Sequence, residues 1–252
     1  MEYGHLFLKR IGKTKLRPGG VKGTKFILDS FDYKDGSNFL EGACNKGVNL
    51  LKLAKKYPKV NFYGIDLDYK AIKEANDAKE KLGLKNVTFL IQNLANTKFE
   101  DNFFDYIINE AVLTMMPNYQ KTRTIREMYR ILKPNGIMGS HCIMVRNSKD
   151  VNYDEVIEKV SNAVGMKVLP LYLEEWKKIT KDEKFKIIKV DHDLLTLMNP
   201  RGLIRDEGLL RTVKILINGH KKENRERFKL MKQTFLKDLR YKIEYLIIVS
   251  EK

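Results

Sequence analysis

Asn38-Phe39-Leu40-Glu41-Gly42-Ala43-Cys44-Asn45-Lys46-Gly47 is the stretch on which the fold is decided. A short apolar run ends in an acid, Glu41, and a turn of small residues follows. Gly47 opens an amphipathic segment, Val48 to Tyr57. Strand, tight turn and helix in that order form the first unit of a doubly wound α/β fold, whose ligand sits beyond the carboxyl ends of the strands. Small residues let the backbone come close to that ligand. The stretch contains neither G-x-x-x-x-G-K-[ST] nor G-x-G-x-x-G, which excludes a phosphate-binding P-loop and weakens a dinucleotide reading.

Outward from this unit the pattern repeats. Val60 to Asp66 alternates apolar and small residues and ends in a second acid, and Tyr69 to Leu82 then reads as a helix closed by Gly83. An acid at the end of the second strand can accept hydrogen bonds from both hydroxyls of a ribose; the alternative is a charge at a helix N-terminus, which Asp68 could supply alone. Val87 to Ile91 is a third strand, running into Gln92-Asn93-Leu94-Ala95. A fourth follows the polar turn at Asp101-Asn102 and ends at Asn109-Glu110. A helix from about Asn118 to Leu132 stops at Pro134, and Gly136 starts a fifth strand, Ile137 to Val145.

Three features together resemble class I S-adenosylmethionine (SAM)-dependent methyltransferases. Glu41 holds the acid of the family's first motif, and Ala43, Asn45 and Gly47 hold its three glycine positions, two of them replaced; Asn tolerates a left-handed backbone well. Phe104-Asp105-Tyr106-Ile107 resembles the F-D-x-V/I strand. Glu127, Arg130, Ile131, Leu132, Lys133, Pro134 and Gly136 resemble the E-x-x-R-x-L-K-P-G-G ending, with Asn135 for the first glycine. The resemblance covers residues 37 to 145 and is closer to the "type 11" group of small-molecule methyltransferases. It implies a Rossmann-like, mostly parallel seven-stranded sheet with an antiparallel last strand. It also implies SAM as cofactor, S-adenosylhomocysteine as product, and a cofactor site lined by Glu41, Gly42, Ala43, Gly47, Asp66, Leu67, Asn93 and Leu94. Asn93 would meet the adenine amino group, with Leu67 and Leu94 on the ring faces. Asn109 and Glu110 would face the transferred methyl, Glu110 as base, amine-binding carboxylate or plain helix-cap acid. No Asn-Pro-Pro-[Tyr/Phe] follows the fourth strand, which disfavours planar amino nitrogens of DNA bases or protein amides as acceptors.

The remaining chain is less patterned. Its 252 residues suit one large domain with an insertion, here divided as an N-terminal arm and helix over the cleft (1–36), a SAM-binding Rossmann-like core as the resemblance implies (37–193), a helical cap (194–240) and a last core strand (241–252). The arm concentrates Lys9, Arg10, Lys13, Lys15 and Arg17 before Pro18-Gly19-Gly20, and reads as solvated or folded over the cleft. Helices are expected at 23–31, 154–163 and 170–181, the last holding Trp176, and at about 208–218 and 222–238 within the cap, with a dimer interface as the alternative role. Arg17, Arg201 and Arg205 are candidates for holding an anionic substrate group. The net charge of +16 is read as solvated helix faces, with RNA or protein methylation as the alternative it leaves open and a silent SAM-binding module as a third. Cys44 and Cys142 form no disulfide or zinc pattern and read as packed thiols. His141 reads as a satisfied histidine or a base, and His5 could join the site through the arm. No metal spacing, membrane-spanning run or signal-peptide architecture is present, which points to a cytoplasmic monomer or homodimer without a membrane partner.

Overall fold

The computed structural model describes residues 2–14 and 16–252, so Lys15 of the basic arm lies outside the described residues. Asn38–Gly42 forms β1, and Val48–Lys56 forms α3 after the turn. Asn61–Asp66 (β2) and Val87–Ile91 (β3) flank Tyr69–Lys81 (α4), whose first turn is capped by the Asp68 carboxylate accepting from the Lys70 and Ala71 amides. Phe104–Glu110 (β4), Asn118–Ile131 (α5) and Leu132–Val145 (β5) complete the central unit. Tyr153–Val164 (α6), Leu171–Tyr172 (β6), Leu173–Asp182 (α7), Lys186–Leu194 (β7) and Ile243–Glu251 (β8) follow. The sheet order is β3-β2-β1-β4-β5-β8-β7, with β6 added beside the end of β5. Strands β1 to β6 run parallel, and β8 lies antiparallel between β5 and β7.

Alternation along the strands builds a core on each face. Phe39, Phe62, Ile108 and Ile143 pack with α3 and the N-terminal and inserted helices. Leu40, Ile65, Ile107 and Cys142 pack on the other face with Met128 of α5 and Trp176 of α7.

Several expectations need correction. The seven expected strands form the sheet, and Leu171 and Tyr172 add a short eighth off its main path by pairing with Met144 and Val145 before α7 begins. β5 starts at Leu132: left-handed Asn135 lets the chain bend without leaving the sheet. Of the two readings of the arm, the solvated one does not hold. Gly4–Arg10 forms helix α1, with Phe7 and Leu8 buried, followed by buried Ile11. The spacing of these three residues is an amphipathic signal that the surrounding cations hid. The next helix, α2, spans Gly20–Leu28 rather than starting at Gly23. Between β7 and β8 stand three α-helices rather than two, Pro200–Glu207 (α8), Leu209–His220 (α9) and Arg225–Gln233 (α10), then a π-helical turn, Thr234–Asp238. α8 carries its own start signals: Asn199 caps it by accepting from the Arg201 amide, and Pro200 takes the first helical position.

Candidate active site

The carboxyl ends of β1, β2 and β4 meet beneath α1 and α2. The turn after β1 is left-handed at Ala43 (φ 55°), Asn45 (φ 49°) and Gly47 (φ 62°), and β4 exits through left-handed Ala111 (φ 60°). Ala43 and Ala111 each carry a cost of about 1–2 kcal/mol that the surroundings must offset, whereas Asn45 tolerates this region. Such concentrated strain marks functional sites. Asp66 helps hold the turn: its Oδ2 accepts from the Asn45 amide (2.8 Å) and its Oδ1 from the Asp68 amide (3.0 Å). Each oxygen keeps a second lone pair. Gly64 of β2 leaves room for the turn, since a Cβ there would stand 2.8 Å from Cys44 Sγ. Cys44 itself is buried, and burial pushes its thiol well above the ordinary range, so it is a packing group.

A polar network runs under the cleft. Glu41 is buried; its Oε1 accepts from Asn49 (2.8 Å), and its Oε2 has no hydrogen-bond partner. Burial, the largest influence, raises its carboxyl to about 7, with Arg17 opposing and Glu110 and Asp66 adding to the rise. Glu110 lies in the same network and is satisfied. It accepts from Arg17 Nε (2.8 Å), Thr24 Oγ1 (2.6 Å) and, more weakly, Asn49 Nδ2 (3.4 Å). Burial is again the largest influence and pushes Glu110 up, but Arg17, His141 and Thr24 together bring it below the usual carboxylate range. The Gly19 amide donates to His141 Nε2 (3.0 Å), so that nitrogen carries no proton. Nδ1 therefore carries it and donates to Glu110 Oε1 (3.0 Å). With both ring nitrogens engaged, His141 is a structural bridge between α2 and β4. Gly19 and Gly23 make space for it: a Cβ at either would come within 2.9 Å of the ring or closer. Gly19, Thr24 and Asn49 escape sequence reading because they are joined only through long-range folding.

The predicted residues divide by strand parity. Glu41 and Glu110 point to the network, while Asn109, one residue earlier, points to the opposite face, where its Nδ2 donates to Ser140 Oγ (3.0 Å) and its Oδ1 stays unpartnered. Gly42 sits against buried Leu94, whereas Leu67 is 68% exposed. Asn93 is exposed, with Oδ1 accepting from the Ala95 amide (2.9 Å) in a local turn. Arg17 is spent on Glu110, Arg205 lies 3.5 Å from Asp206, and Arg201 is exposed in the first turn of α8. α1 crosses the mouth, with Lys9 beside Lys46 and His5 beside Asp68; partial burial and Lys9 lower the His5 imidazole.

Next to Ala111 a cavity of about 70 Å³ opens, lined by His5 and Leu8 of α1, Met115, and Leu197, Met231 and Phe235 from the insertion region. Its walls are almost wholly apolar. The arm and insertion that enclose it are locked together. Lys13 pairs with Glu207 (3.7 Å) with both side chains buried, and Glu207 also accepts from the Thr14 amide (2.8 Å) and hydroxyl (2.7 Å). Asp206 accepts from the Val21 amide (3.1 Å), and Pro18 O from the Thr196 amide (2.9 Å).

This arrangement suits a nucleoside cofactor with a cationic tail: a carboxylate at the second strand end, and a buried, unpartnered oxygen of Glu41 beside a turn of close-approaching backbone. No group of three or more His, Cys, Asp or Glu that could hold a metal occurs among the described residues. The comparisons agree with the geometry. The methyltransferase domain family matches residues 33–187. An uncharacterized protein of Haemophilus influenzae is 37% identical over the whole of this chain and 98% of its own. Demethylmenaquinone methyltransferase of Listeria welshimeri is 27% identical over 60% of this chain and 61% of its own. The structure of Haemonchus contortus phosphoethanolamine N-methyltransferase 2 with S-adenosyl-L-methionine superposes with a TM-score of 0.76 at 18% identity, over 98% of this chain and 56% of that one. The chain belongs to the methyltransferase domain family and is a class I SAM-dependent methyltransferase.

Proposed function

We propose that the chain methylates a small, uncharged acceptor seated in the apolar chamber beside Ala111. The observation that carries this reading is the chamber itself, apolar and opening directly after Glu110 at the end of β4. Glu41, Gly42, Ala43, Gly47, Asp66, Leu67, Asn93 and Leu94 line the cofactor in this account. Glu41 Oε2 takes the methionine ammonium, Asp66 the ribose hydroxyls and Asn93 the adenine amino group, with Leu67 and Leu94 against the ring. SAM bound there supplies an electrophilic methyl. The protein's part is to align the acceptor and exclude water.

Glu110 acts as a positioning residue: its low-lying carboxyl and full set of donors make it a poor base, and it fixes Arg17 and His141 at the floor. His5, at the chamber mouth and held neutral by its surroundings, can take a proton from an acidic acceptor at a ring nitrogen. The charge of Arg17 is already met by Glu110, which favours an uncharged acceptor over one held by Arg17, Arg201 and Arg205 together.

The test is a mass-spectrometric screen with SAM against ring-bearing phenols, thiols and amines, their carboxylate and phosphate analogues, and bulk RNA and protein. Added methyl on uncharged members, lost in Leu197→Trp while SAM still binds, is expected. Methylation confined to RNA, protein or the anionic analogues would overturn the reading.

A further inference from the structure

We propose that α9 seats the protein on an anionic lipid surface. α9 is apolar on two sides. Thr212, Ile215 and Gly219 face the core, as an amphipathic helix requires. Leu209, Val213 and Ile217, four residues apart, form a second stripe together with Leu210, and nothing covers it: Leu210 is 88% exposed, Leu209 63%, Ile217 61% and Val213 46%. Four large aliphatic side chains held in water on one helix are an interaction surface rather than scattered exposure.

The charge around the stripe selects the partner. Arg211 and Lys214 flank it, and Lys221, Lys222 and Arg225 follow, all exposed. Residues 200–238 carry eleven Lys and Arg against five Asp and Glu. A second copy would bring an equally basic face against this one, and like charges in apposition are costly. Nucleic acid would meet the cations but not the stripe, since residues 209–220 contain no Phe, Tyr or Trp on which a base could stack. An aliphatic face with a basic rim matches the boundary of a bilayer rich in anionic headgroups. No described helix is long and apolar enough to cross a membrane, so the association is peripheral. The same insertion supplies Met231 and Phe235 to the chamber.

The full chain is floated with equimolar phosphatidylglycerol–phosphatidylcholine vesicles and with pure phosphatidylcholine vesicles, beside Leu210→Asp/Ile217→Asp and Lys214→Glu/Lys221→Glu. These positions are exposed, and unchanged SAM affinity verifies the fold. The wild type is expected to float with the anionic vesicles and less so as salt rises. The aspartate pair should weaken partitioning by at least about tenfold, from the lost apolar burial. Sedimentation velocity is run in parallel. Wild-type protein that ignores anionic vesicles, an aspartate pair that partitions equally, or self-association abolished by that pair would each overturn the proposal. None of these readouts depends on methyl transfer, so the acceptor reading can fail separately.

Discussion

The floor and the roof of the site are built on opposite principles. The floor is the end of a parallel sheet, and its acids stand at register positions that strand pairing dictates: Glu41 pairs with Gly64 and Ile108, and Glu110 with His141. The roof is α1, the arm and the insertion, which come from the two ends of the chain and meet through long-range polar ties. Inside it is apolar. The contrast teaches how the labour divides. Charged, preorganised groups fixed by the sheet suit an invariant cofactor, and an apolar shell on a separable layer suits an acceptor that must enter and leave.

Cutting the roof's main tie should have the largest effect. Glu207→Ala removes the buried carboxylate that pairs with Lys13 and accepts from the Thr14 amide. Loss of one partner of a buried ion pair typically costs about 3–5 kcal/mol. Denaturant unfolding should show that scale of loss, and hydrogen exchange should rise first across residues 11–21. Uniform exchange across the sheet as well would mean that roof and floor are one cooperative unit.

A smaller effect probes the seam. Gly23→Val drives a side chain into the His141 ring, which a Cβ alone would approach to 2.6 Å. Overpacking of this kind costs about 1–3 kcal/mol. Turnover should fall more than SAM affinity, because the displaced ring releases Glu110 while Asp66 is untouched; equal losses in both would place His141 in cofactor binding.

The floor was largely legible in the sequence, whereas of the roof only the parts were, an arm and a helical cap, and not the ties between them. Glu41, Asp66 and the β4–β5 segments lie within local strand-turn-helix units, where period and punctuation carry the signal. Even there, parity was missed: Asn109 and Glu110 are adjacent in sequence and therefore face opposite sides of the sheet. Local pattern cannot show that Gly19 and Gly23 cradle a histidine more than a hundred residues away, nor that Glu207 reaches Lys13. The basic run over residues 9–17 looked solvated because Lys13 is buried by a partner far along the chain.

The smallest effect concerns Glu41, which Arg17, Glu110, Asp66 and Asn49 face. With its carboxyl at about 7, it is mostly protonated below that pH and must ionise to hold an ammonium group. SAM affinity should therefore climb as pH rises towards 7 and level off above it, and Glu41→Gln should flatten the climb. For folding the sign reverses. A raised carboxyl favours the native state at low pH, and that advantage is lost as pH rises through about 7, so Glu41→Gln should raise the melting temperature more at pH 8 than at pH 5. A pH profile shared by wild type and variant would show that Glu41 does not meet the cofactor.

Calorimetric titration of wild type and Asp66→Ala with SAM and S-adenosylhomocysteine asks whether the strand-end acids of the floor hold the nucleoside cofactor. Wild-type binding of about micromolar strength is expected, with a loss of at least about tenfold in the variant, the scale of one charged hydrogen-bonding group, and a lower but still cooperative thermal unfolding because the Asn45 and Asp68 amides lose their acceptor. Equal affinity in the two folded proteins would contradict it.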